Sequence, residues 1–181
     1  MPDLTIRIKK KSDGSAALSC LRANGTTTWQ QQNGQLGLFF PLHDLTHYAV
    51  ESVLGLRRAF FGLVAEGWDF TDFASAGARD RLSEDARTAE WVVGIFDLER
   101  ATGVLGSADE YTARLQEYVA DNGLPAASFR LTEEQIGQIR LLRRELFDRW
   151  EAVPAGDALV LRFCQPAYSG EPADTNPQPD S

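Results

Sequence analysis

His43 and His47 are the two histidines of a 181-residue chain. They stand four residues apart in HDLTHYAVE, with Asp44 between them and Glu51 four residues further on. On a helix turning about 100° per residue, His47 lies about 40°, Glu51 about 80° and Asp44 about 100° round from His43. All four side chains then share one quadrant over about two turns. Two imidazoles at this spacing converge on a single ion. Neutral imidazole nitrogen suits zinc, iron(II), nickel and copper, and carboxylate oxygen completes the shell. Two histidines and one carboxylate leave positions open for water, which a metal needs if it is to do chemistry. The pattern makes His43 and His47 candidate ligands and Glu51 a third ligand or general base. Asp44 is a ligand, a catalytic acid, or the partner that orients a histidine. The chemistry is that of a divalent metal, zinc or iron(II), whose bound water attacks an unidentified small molecule in a hydrolysis.

A further ligand can come from outside the stretch. Glu90, in AEWVVGIFD, is the first choice, because it is a carboxylate with large apolar neighbours. Asp97 follows seven residues later on the same helical face, and Glu66, Asp69 and Asp72 cluster nearby. A plainer reading stands beside this one. His43 bonds locally, His47 is a satisfied semi-core histidine, and Asp44 and Glu51 are acids near a helix start, where the dipole favours them. On that reading the chain is a non-catalytic α+β accessory or oligomerising protein without a metal.

Known motifs narrow the field. Metalloproteases of the H-E-x-x-H type place Glu beside the first histidine. Here Asp44 stands in that place and no third histidine exists, which argues against a zincin. The stretch partly resembles the H-D-x-x-H-(x11)-E motif of the zinc-binding ubiquinone-biosynthesis protein family. His43, Asp44 and His47 match it, whereas the glutamate position falls on Ala59, and Glu51 and Glu66 are the acids at hand. That likeness spans five residues, and membership of the family is not inferred from it. HD-type phosphohydrolases need a further upstream histidine, which this chain lacks. Without G-x-G-x-x-G, a P-loop or G-x-S-x-G, dinucleotide, NTP and α/β-hydrolase readings have no support.

The elements that must hold these groups are legible in outline. LTIRIKK alternates apolar and polar residues at a period of two, AALSCLRA follows the turn at Ser12–Ser15, and TTTWQQQ follows Asn24-Gly25. These are three strands of a meander, closed by Asn33-Gly34. A helix is expected from about Pro41 to Glu66, with a break possible at Gly55. Its apolar arcs carry Leu42, Leu45, Ala49, Val50, Val53, Leu56, Phe60 and Val64, so the polar quadrant faces a cleft. Short turns follow, then a helix over about Ser83–Thr102. Capping boxes at Ser107–Glu110 and Thr132–Gln135 open helices to about Asn122 and Ala152. ALVLRFC reads as a last strand returning to the sheet. The class is α+β: an antiparallel sheet of about four strands, three N-terminal and one C-terminal, packed on four to five helices. Residues 1–167 form the expected domain, and the Pro-, Gly- and acid-rich residues 168–181 a disordered tail.

Charge limits the partners. There are 18 basic and 26 acidic residues, for a net charge of −8. An acidic body repels phosphate backbones, so no nucleic-acid partner is expected. Arg140, Arg143, Arg144 and Arg149 can be neutralised by Glu133, Glu134, Glu145 and Asp148 nearby. Cys20 and Cys164 lie outside any C-x-x-C pair and read as buried free thiols, with a disulfide open only if their strands adjoin. The opening MPDLTIRIKKK lacks a signal-peptide core, and no run approaches the length of a membrane span. The expected address is the cytoplasm.

Overall fold

The structure is a computed structural model and describes residues 3–32, 36–121 and 129–164. Strands β1 (Leu4–Lys10), β2 (Ala16–Arg22), β3 (Thr27–Gln32) and β4 (Ala158–Phe163) form one antiparallel sheet in the order β3-β2-β1-β4. The C-terminal strand returns beside the first, with Ile6 opposite Cys20 on one side and Leu161 on the other. The period-two alternation is the cause. Leu4, Ile6, Ile8, Leu18, Cys20, Leu159, Leu161 and Phe163 all face inward and are buried.

Four long helices, α1 (Leu36–Leu54), α5 (Glu84–Thr102), α6 (Ala108–Asp121) and α7 (Glu133–Glu151), pack with the sheet; α2 (Phe60–Ala65), α3 (Phe70–Phe73) and α4 (Ala78–Arg81) are short turns between them. One hydrophobic cluster draws on the inner sheet face and on Leu45, Ala49, Phe61, Val92, Phe96, Ile139 and Leu146 of the helices. The α+β class, the four strands and the long helices match the sequence reading. The predicted capping boxes form: the Thr132 hydroxyl accepts from the Gln135 N–H, and the Gln135 side chain accepts from the Thr132 N–H.

Three details differ. First, the long helix begins at Leu36, not at Pro41, which lies inside it. Only the bond to the Gly37 carbonyl is forgone there. Gly37 is needed for another reason: a Cβ would stand 2.5 Å from the Gln32 carbonyl oxygen and 2.8 Å from the Ser15 Cβ. The helix start is thus pressed against the end of β3. Second, the helix stops at Leu54 instead of reaching Glu66, because Gly55 adopts φ 67° and the Leu56 N–H returns to the Glu51 carbonyl at 3.1 Å. This is a Schellman-type end. Phe60 and Phe61 therefore arrive on a separate turn that folds back over α1. Third, Cys164 is exposed, since it lies past the end of β4, while Cys20 is buried; β1 separates their strands and both thiols are free. The closing Asn33-Gly34 turn and the 168–181 tail lie outside the described residues.

Gly55→Ala is expected to cost about 1–2 kcal/mol, the penalty of a Cβ in left-handed backbone. Urea denaturation should show a lower midpoint with an unchanged slope. An unshifted midpoint would count against the Gly55 turn.

Candidate metal centre

Helix α5 is capped at both ends. The Ser83 hydroxyl accepts from the Ala86 N–H, and Gly103 closes the helix at φ 70°. Glu90 and Asp97, seven residues apart, fall within about 20° of one line along it. Glu90 meets His47 and Asp97 meets His43. Rising position on α5 thus matches falling position on α1, so the two helices run antiparallel here.

Each histidine is held from behind by a carboxylate. His43 Nδ1 lies 2.7 Å from Asp97 Oδ2, and Arg100 bonds the other oxygen at 3.3 Å. Burial alone would raise the Asp97 pKa, but the His43 hydrogen bond and the charges of His43 and Arg100 outweigh it and hold it below its ordinary value. Asp97 is therefore ionised and accepts, so Nδ1 of His43 donates. His47 Nδ1 lies 3.2 Å from Glu51 Oε1, and Glu51 Oε2 accepts from the Phe61 N–H at 3.0 Å. Burial pulls the His47 pKa down, but the hydrogen bond to Glu51 and the charges of Glu90, Glu51 and Asp44 raise it overall. Burial raises that of Glu51. His47 is 2% and Glu51 0% exposed.

The other nitrogen of His47, Nε2, stands 3.5 Å from Glu90 Oε1. The two imidazole rings lie 4.8 Å apart at 77°; Phe39 stacks on His43, and Phe60 leans on His47. His43, His47 and Glu90 each offer one donor atom, all within 4.8 Å of one another, and this group could hold a metal ion. Zinc bonds of about 2.0–2.1 Å at tetrahedral angles put donors roughly 3.3–3.4 Å apart. The His47–Glu90 pair, at 3.5 Å, is close to that spacing, and the Glu90 side chain is 55% exposed.

The other expected residues are placed as follows. Glu51 stands behind His47. Asp44, 3% exposed, accepts from Gln32 Nε2 at 2.5 Å, at the end of β3. Burial pushes its carboxyl up to about 6, against the Gln32 bond and the two histidines. Gln32 Oε1 is a buried acceptor without a hydrogen-bond partner among the described residues. Glu66 pairs with Arg58, Asp69 with Arg22, and Asp72 closes the α3 capping box. Asp97 was visible in the sequence only as a possible ligand, although its spacing from Glu90 was the signal. Gln32 and the Phe61 N–H had none, since only the fold brings them to α1. Of the α7 arginines, Arg149 pairs with Glu145 of the same helix as expected, whereas Arg140 and Arg143 pair with Glu99 of α5. No protein-family profile, curated protein or solved structure matches the chain.

Asp44 sets a pH dependence in metal-free protein. Its folded pKa of about 6 lies above the ordinary 3.8, so its contribution to stability is complete below 3.8 and is lost as the pH rises through 6. Relative to wild type, Asp44→Asn should gain on the order of 2–3 kcal/mol between pH 4 and 7. Denaturation in chelator across that range measures it, and a constant difference would refute the assignment.

Proposed function

We propose that the chain binds one divalent ion, zinc or iron(II), through His43, His47 and Glu90, and that the site is that of a metal-dependent hydrolase. The observation that carries this reading is the double backing. Each imidazole gives one nitrogen to a carboxylate, Asp97 or Glu51, and His47 turns its other nitrogen toward Glu90. Outer carboxylates of this kind fix tautomer and ring orientation in metal-binding histidines and raise their basicity. A histidine pair serving only the core would not need the half-exposed Glu90 at its free edge. Two imidazoles and one carboxylate leave coordination positions open, and a bound water of lowered pKa would be the nucleophile. Glu51 has both oxygens engaged. The reading therefore gives it the positioning of His47, in place of the ligand or base roles that its spacing alone suggested. Asp44, tied to Gln32, holds the end of β3 against α1.

Untagged protein, stripped with chelator and titrated with zinc, should take up about one equivalent. His47→Ala and Glu90→Ala should lose most of that affinity. Asp97→Asn should weaken it about 10–100-fold, as expected of an orienting partner. Less than a tenth of an equivalent of metal, unchanged in His47→Ala, would sink the proposal.

One observation favours a second, non-catalytic reading as an assembling protein. Trp29 is 64% exposed and shares the outer sheet face with Leu21 and Val160. Among the described residues, no helix is long and apolar enough to cross a membrane. If it joins two copies, the solution mass should fall toward that of one chain in Trp29→Ser and stay unchanged in chelator. A wild-type mass of one chain at all concentrations would exclude it.

A further inference from the structure

We propose that Gly94 is the entrance to the metal site: the point on α5 over which a small oxygen-donor ligand reaches the ion. This rests on the metal reading above and adds the direction of approach. Gly94 lies about 40° from Glu90 around α5, about 6 Å beyond it along the axis and about 4.5 Å short of Asp97. It thus stands between the two carboxylates that meet His47 and His43. Buried Val93 flanks the stripe on the core side, and exposed Gly94 flanks it on the solvent side.

Neither backbone nor packing calls for a glycine here. Gly94 is not among the glycines with positive φ, and a Cβ built on it meets nothing within 4 Å. Glycine inside a helix is less stable than alanine. Its effect is to leave open space beside the cluster. A larger side chain would close that space, because helical side chains lean toward the N-terminus and cover the preceding turn. From position 94 that turn is the one carrying Glu90. Other sides of the cluster are lined by packed groups: Phe39 and Phe40 pack on His43, Phe60 packs on His47, and Arg100 is tied to Asp97 over the Phe39 ring. Gly137 of α7 supplies a control, being a second exposed helical glycine with nothing within 4 Å, but remote in sequence from the cluster.

The test uses cobalt(II) as the metal and acetohydroxamate as the oxygen donor, followed by the visible absorption of the ion. Wild type and Gly137→Leu should bind cobalt and then acetohydroxamate with similar affinities. Gly94→Leu should bind cobalt within about threefold of wild type, yet lose at least tenfold in acetohydroxamate affinity, with Gly94→Ala in between. Equal acetohydroxamate affinity in Gly94→Leu and wild type would overturn the entrance. So would loss of cobalt affinity in Gly94→Leu, which would show that the residue shapes the ligands instead. Wild type that binds cobalt but not acetohydroxamate would overturn it too. Wild type that binds no cobalt would instead remove the metal reading, and this one with it.

Discussion

Two imidazoles and two carboxylates are enclosed along the seam between α1 and α5, and the surrounding structure is built to satisfy them. A buried carboxylate is tolerated only when its lone pairs are met. Glu51 shows how this is done. One oxygen takes His47, and the other takes the backbone N–H of Phe61. That N–H is available only because α1 ends at Gly55 and the chain doubles back into α2. The same reversal delivers Phe60 to the His47 ring and Phe61 to the core beneath the sheet. Helix ending, core packing and orientation of His47 are thus one event.

A second buried polar layer keeps the seam in register. Arg143, 6% exposed, lies between the rings of Phe96 and Phe147; it donates to the Phe96 carbonyl at 3.0 Å and to the Thr46 hydroxyl at 3.3 Å. Thr46 is the neighbour of His47, so α7 grips α1 on the side away from the cluster. Arg140 reaches Glu99 at 2.8 Å, and the Tyr111 hydroxyl donates to the same carboxylate, which ties α5, α6 and α7 together. Contacts of this kind are directional and low in entropy, and they fix the rotation of α5 about its axis more narrowly than apolar packing would. That rotation decides whether Glu90 and Asp97 face the histidines.

The sheet plays the corresponding part at the other end. Arg22, at the end of β2, donates to the carbonyls of Val64 and Trp68 and to Asp69, and so fastens the stretch after α2. Gln32, at the end of β3, reaches Asp44. The strands carry no ligand. They hold the start of α1 and the turn after it, which leaves the histidine face little freedom to rotate.

Local chemistry was enough to set the strands, the capped helices and the placing of His43 and His47 on one helical face. Period-two alternation, turn residues, capping boxes and the helical angle all act within a few residues. The choice of Glu90 as a partner was also open to the sequence, because its helix and its apolar neighbours were visible there. The roles of Glu51, Asp44 and Asp97 were not. Angular spacing says that Glu51 shares a face with His47, but not that its second oxygen is taken by a backbone N–H ten residues away. Nor does it say that Asp44 turns to a glutamine at a strand end, or that Asp97 stands behind the far histidine. Such assignments depend on how α1, α5, α2 and β3 pack, and the partners that satisfy a buried charge are chosen by that packing.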